Sequence, residues 1–258
     1  MPINFYKYQS SGNSFILIDN LENKISFTKS QIIKFCDYNY GVGSDGLIIL
    51  KSHKESDFEL EFFNPDGTKS FCGNGSLCAL YFLKKKNFLN KNCNFIAFDG
   101  IHEAKINDDI YLKMKNIDFY EKINNDYYIY SGAPHYVKFI DNNLKNIDVV
   151  NESKIIKNLD FFKKNPCNIN FVSLEDRSVI SVRTFEKGVD RETLSCGTGA
   201  VASAIAFSIK ENRKAKHVRM EGGILKVIFK INNNNTFSDI YLLGDPREVF
   251  TGKISIWK

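Results

Sequence analysis

The sequence predicts an α+β fold of two pseudo-symmetric halves, each a barrel-like β-sheet wrapped around a central apolar helix, with a cleft between them. Three observations carry this prediction. The words Cys72-Gly-Asn-Gly and Cys196-Gly-Thr-Gly stand 124 residues apart, close to half of the 258-residue chain. Each is followed by a run that is apolar nearly all round, SLCALYFL and AVASAIAFSI, the mark of a helix enclosed by other structure. Short Phe-, Ile-, Leu- and Tyr-rich runs of strand length surround both helices, punctuated by Gly, Asn and Asp.

The flanking segments repeat in register, as a duplication requires. Tyr6-Lys-Tyr, Ser11-Gly12-Asn13 and Ile18-Asp19 are echoed by Tyr128-Ile-Tyr, Ser131-Gly132 and Ile140-Asp141. LIIL followed by DFELEFFN parallels NFVSL followed by SVISVRTFE, which sets Asn64 opposite Glu186 at a separation of 122. Asp109-Ile-Tyr-Leu matches Asp239-Ile-Tyr-Leu at a separation of 130. Strands are predicted at FILID, LIIL, FELEFF, FIAF and IYLKM and at their second-half counterparts, with one helix after each CGxG word. The polar, turn-prone stretch 117–126 marks the boundary, giving an N-terminal half over 1–118 and a C-terminal half over 119–246. The tail 247–258 is expected to return to the first half. Lys84 to Lys86 read as cations complementing a helix C-terminus rather than as a binding patch.

Composition narrows the functional classes. Hydrophobic residues make up 43% and charged residues 25%, the balance of a globular chain. Lys plus Arg number 35 and Asp plus Glu 30, too thin a positive excess to point to nucleic acid. No apolar run approaches membrane-spanning length and residues 1–15 lack a secretory core, so a cytoplasmic protein without membrane contact is expected. Six cysteines without CxxC pairs or Cys/His spacing suggest neither a disulfide scaffold nor a metal site. Gly41-Val-Gly43-Ser-Asp-Gly46 spells a dinucleotide fingerprint, but a strand follows it where the fingerprint needs a helix, so it is read as a glycine turn.

Position gives two of the cysteines a chemistry. At the first turn of a helix the amides are unpaired and the dipole is positive, which lowers a thiol pKa from about 8.5 toward roughly 3.5 to 7.5. The glycines that follow leave those amides open to an anion such as a carboxylate. Two such helix starts suit proton transfer at a carbon alpha to a carboxylate: one thiolate removes the hydrogen and the opposite thiol delivers another. Cys36, Cys78, Cys93 and Cys167 are expected to be packing residues. A non-catalytic thiol switch or small-anion binding protein would use the same cysteines without turnover.

The motifs resemble those of the PLP-independent amino-acid racemases and epimerases, and within them the diaminopimelate epimerase family. The likeness runs through SGNSF at 11–15, GVGSDG at 41–46, FNPDG at 63–67, FCGNG at 71–75, GAPH at 132–135, NINFV at 168–172, TFEKG at 184–188 and ETLSCGTG at 192–199. It implies interconversion of LL- and meso-diaminopimelate for lysine and cell-wall precursor synthesis, without cofactor or metal, by a homodimer. It makes Cys72 and Cys196 the acid/base pair, with His135 and Glu186 beside the reacting centre. The amides of Gly73, Asn74, Gly197 and Thr198 would cradle the reacting carboxylate. Asn13, Asn64, Asn168 and Lys187 would hold the rest of the substrate. Taken alone, His135 would be read as a satisfied core histidine, Glu186 as a strand-end carboxylate and each Asn as a turn residue. Four positions depart from the family pattern, Ala133 for Asn, Lys187 for Arg, Leu77 for Arg and Ser14 for an acidic residue, and the stretch between Asn64 and Cys72 is one residue shorter. Lysine lacks the bidentate fork that clamps a carboxylate, which leaves a racemase of another amino acid as the alternative.

Overall fold

The computed structural model describes residues 2–141 and 143–255; residues 256–258 of the C-terminal tail lie outside the described residues. Two compact units emerge, one from residues 1–112 with 244–258 and one from 113–243. The first contains β1 (Pro2–Ser10), β2 (Asn13–Asn20), α1 (Lys29–Cys36), β3 (Gly46–Lys51), β4 (Phe58–Phe63), α2 (Gly73–Lys85), β5 (Asn92–Ala97), β6 (Gly100–Ile106) and β7 (Ile110–Lys113). The second contains β8 (Tyr120–Ile123), β9 (Asp126–Tyr130), β10 (Pro134–Phe139), α3 (Val149–Lys157), α4 (Asp160–Lys164), β11 (Asn168–Leu174), β12 (Val179–Glu186), β13 (Arg191–Thr193), α5 (Gly197–Glu211), β14 (His217–Met220), β15 (Gly223–Ile231) and β16 (Phe237–Leu243). The last strand, β17 (Pro246–Ser255), belongs to the first unit, where it lies antiparallel to β1.

One topology is built twice. From β1 the pairing runs antiparallel to β2, parallel to β3, antiparallel to β4, parallel to β5 and antiparallel to β6 and β7. From β9 through β10, β11, β12, β14, β15 and β16 the same alternation recurs. β17 beside β1 takes the place that β8 takes beside β9. Register carries the repeat to single residues: Leu47 pairs with Phe63, and Ile169 pairs with Phe185, each 122 positions from its counterpart. Parallel neighbours need a crossover. The crossovers are α1 between β2 and β3, α2 between β4 and β5, α3 and α4 between β10 and β11, and α5 between β12 and β14.

The two central helices are enclosed, as their apolar circumference predicts. Residues 73–80 of α2 are all buried, with Leu77 and Leu80 at zero exposure, and the helix packs on β1, β2, β3, β4 and β17. In α5 residues 199–208 are all buried against β9 through β12 and β14 through β16. Burying each leucine contributes roughly 1.5–3 kcal/mol, so these helices are the cores of their units as well as platforms for their N-termini. The crossover helices α1 and α3 are short amphipathic pieces. A capping box starts α1, with the Thr28 hydroxyl accepting from the Gln31 amide and the Gln31 side chain accepting from the Thr28 amide. Among the described residues no helix is long and apolar enough to cross a membrane.

Candidate active site

Each unit delivers one cysteine to the start of its central helix by the same route. After β4 the chain makes a short excursion that bridges back at Phe63 and Lys69, and after β12 a short β13 does the same before Cys196. Cys72 and Cys196 are the N-cap residues of α2 and α5, with φ/ψ of −133°/113° and −134°/111°. The predicted pair is thus one structural position occurring twice. First-turn amides of a helix have no partner within the helix, so each cysteine heads a set of donors suited to a carboxylate.

In the first unit Asn13, at the start of β2, approaches Cys72. Its Nδ2 donates to Asp45 Oδ2 at 3.1 Å, and its Oδ1 lies 3.9 Å from Cys72 Sγ. Asp45 also accepts from the Ser14 amide at 2.9 Å and from the Tyr38 hydroxyl at 3.4 Å, so the 41–46 loop braces the start of β2. The Gly75 amide donates to Cys72 Sγ at 3.4 Å. Asn64 instead knits its own turn, donating to Thr68 Oγ1 at 3.0 Å and accepting from Ser70 at 3.3 Å. Asn74 is buried in the first turn of α2, and Leu77 is sealed inside the unit.

The second unit assembles a continuous polar chain. Thr198 Oγ1 lies 3.5 Å from Cys196 Sγ and 2.9 Å from His135 Nε2. Asn170 Nδ2 lies 3.0 Å from His135 Nδ1 and donates to the Tyr136 carbonyl at 3.1 Å, while Thr184 donates to Asn170 Oδ1 at 2.9 Å. The Ser131 hydroxyl donates to the Thr198 carbonyl at 2.8 Å, which ties the 131–135 segment to the first turn of α5. Asn168 Oδ1 accepts the Lys187 amide at 2.8 Å, and Asn168 Nδ2 lies 3.4 Å from His135 Nε2. Glu186, ending β12, accepts from the Thr193 hydroxyl at 2.7 Å. Met220 Sδ accepts from the Cys196 amide at 3.4 Å.

The His135 ring has no exposed surface, and burial pushes its pKa down from 6.5 to about 3. The ring is therefore neutral in the folded protein, whereas an unfolded chain protonates it below its ordinary pKa. Because the folded pKa lies below the unfolded one, stability is full above about pH 6.5 and falls by up to about 1.4 kcal/mol per pH unit on acidification toward about 3. Thermal melts across this window are expected to show a shallower acid slope for His135→Gln than for the natural protein.

Five residues of these networks are not among the predicted site residues: Ser131 and Met220, and also Asp45, Asn170 and Thr184, which lie inside the GVGSDG, NINFV and TFEKG words without an assigned role. Asn170 has a further signal, a polar residue at a buried strand position between Ile169 and Phe171. The large concavity of the second unit around Arg183, Lys210 and Glu221 holds none of the candidate residues. There Arg183 is already forked onto Glu192 at 2.6 and 2.7 Å.

The family model for diaminopimelate epimerase matches residues 5–116 and 127–249. A diaminopimelate epimerase of Flavobacterium psychrophilum is 42% identical over 251 residues, covering 95% of this chain and 97% of that protein. One of Aquifex aeolicus is 33% identical, with 97% of each chain covered. Among solved structures, a Bacillus anthracis phenazine biosynthesis protein of the PhzF family superposes with a TM-score of 0.78 at 15% identity, covering 99% of this chain and 100% of its own. A hydroxyproline epimerase of Agrobacterium vitis superposes with a TM-score of 0.66 at 12% identity, covering 98% and 92%. These two share the fold; the sequence matches, over nearly the full length of the chain, go further. The chain belongs to the diaminopimelate epimerase family.

Proposed function

We propose that this protein is a cofactor-independent isomerase that interconverts LL- and meso-diaminopimelate by two-base proton transfer, in the supply of lysine and peptidoglycan precursors. The observation that carries the reading is the paired N-cap cysteines on two enclosed helices, in a chain of this family. One sulfur, as thiolate, takes the α-hydrogen, and the other, as thiol, protonates the opposite face of the same carbon. The negative charge that develops on the α-carboxylate is stabilised by the amides of Gly73, Asn74, Gly197 and Thr198. Glu186 pairs with the α-ammonium group. Asn13, Asn64, Asn168 and Lys187 hold the distant amino-acid end, and His135 supports the Cys196 half of the site. The enzyme acts in the cytoplasm as a homodimer, for which light scattering should give twice the 29.6 kDa chain mass.

Purified protein incubated with LL-diaminopimelate should produce the meso isomer, and chiral separation of the products tests this. A second reading, racemisation of a different amino acid, draws on Ala133 and Lys187, which depart from the resemblance set out above; Leu77, another such position, in the central helix of the first unit, is fully buried and bears on neither reading. A panel of amino acids without a second amino-acid end separates the two. Turnover confined to diaminopimelate supports the first reading, and turnover elsewhere with none on diaminopimelate overturns it.

A further inference from the structure

The two cysteines share backbone geometry, but the polar groups that their own units set beside them differ in polarity. Beside Cys72, Asn13 Nδ2 faces the Asp45 carboxylate at 3.1 Å, and a carboxylate only accepts. That contact fixes the amide so that its oxygen faces Cys72 Sγ at 3.9 Å, a partner that an S–H can satisfy and a thiolate cannot. The Gly75 amide also points at this sulfur, at 3.4 Å, but a thiol accepts that bond while giving its proton to Asn13.

Beside Cys196 the polarity is reversed. Asn170 must present its NH2 to the Tyr136 carbonyl at 3.1 Å, so the same nitrogen donates to His135 Nδ1 at 3.0 Å. Asn168 Nδ2 also faces Nε2, at the longer distance of 3.4 Å, so the shorter contact at Nδ1 places the neutral ring's proton on Nε2, where Thr198 Oγ1 accepts it at 2.9 Å. The Thr198 oxygen is thereby an acceptor on that side, and its own hydrogen is left for Cys196 Sγ at 3.5 Å. A sulfur that receives a hydroxyl proton is favoured as thiolate.

We propose that Asp45 and Asn170 are positioning residues that set the resting protonation of the enzyme, holding Cys72 as the thiol through Asn13 and Cys196 as the thiolate through His135 and Thr198. The assignment rests on the two-base reading above and adds which base is charged before substrate arrives. The other four cysteines give no competing signal, since burial raises the thiol pKa of Cys36 and Cys78 and pushes those of Cys93 and Cys167 to about 12.

The test is the far-ultraviolet thiolate absorbance of the ligand-free protein at neutral pH. Cys196→Ser should abolish it and Cys72→Ser should retain it; the reverse pattern overturns the proposal. Thr198→Val should weaken the signal and Thr198→Ser restore it. Asn170→Leu should act like Thr198→Val, and the threonine pair keeps the relay testable if Asn170→Leu does not fold. Asp45→Asn, which frees Asn13 to turn, should raise the rate at which iodoacetamide labels Cys72, read by peptide mass spectrometry, and leave Cys196 labelling unchanged. Absence of either effect contradicts the proposal. Failure of the two-base reading is distinct from all of these, because it appears as retained epimerase activity in a cysteine variant.

Discussion

Cys196→Ser is expected to lower kcat/KM by about 10²–10⁴-fold, and Cys72→Ser by a comparable factor, with the fold intact in both. Serine matches the shape of cysteine but ionises far outside the neutral range, so it can neither take nor readily return the α-proton. Both positions are N-caps, where serine is a favoured residue, so helix initiation is preserved. The comparison that gives this result meaning is Cys78→Ser. Cys78 lies six residues into the same helix word and has zero exposure. That substitution should cost stability and spare turnover. Initial rates with either diaminopimelate isomer, together with thermal melts, check all three variants. Near-natural activity in Cys72→Ser or Cys196→Ser would remove that sulfur from the proton-transfer pair.

Gly199→Ala carries the second large effect, and it arises from packing rather than acid/base chemistry. A methyl group there would stand 2.6 Å from Asn170 Oδ1 and 3.3 and 3.4 Å from Cβ and Sγ of Cys196. Asn170 is buried and held by Thr184 and Tyr136, so it cannot yield cheaply. The first turn of α5 must move instead, taking Cys196 and the neighbouring amides with it. A shift on the order of 1 Å at a reacting group can cost about 10²-fold in rate, and overpacking of this kind about 1–3 kcal/mol of stability. The counterpart Gly75→Ala meets Phe62 Cδ2 at 3.3 Å and Cys72 Cβ at 3.4 Å, a looser fit that should cost less than tenfold. Measured kcat/KM and melting temperatures for the two variants should therefore differ in this order. Equal effects would show that Asn170 does not constrain the start of α5.

The pair of central helices and most strands were legible because their signals are local. FELEFF coincides with β4, and the two CGxG words mark two nearly superimposable helix N-caps. The other crossover helices, α1, α3 and α4, were missed. Five to nine residues carry at most about two turns of periodicity, and in α1 the informative feature is the Thr28–Gln31 capping box rather than an apolar stripe. The polar network was illegible for a different reason. Asn170 acquires its meaning from Thr184 on β12 and His135 on β10, and Asp45 from Asn13 across a loop. Such roles arise from strand register, which the residue types alone do not specify. The departures at Ala133 and Lys187 were visible at once, but what they do to substrate choice depends on contacts with substrate.

The account stands on two different sulfurs serving the two faces of one carbon, and isotope incorporation at early times in deuterated water tests this most directly. The thiol that protonates product exchanges with solvent, whereas the hydrogen taken from substrate remains on the other sulfur and returns with it. Product formed at early times should carry one solvent deuterium at the α-carbon while recovered substrate stays unlabelled. Deuterium appearing equally in substrate and product, or in neither, would contradict the two-base mechanism.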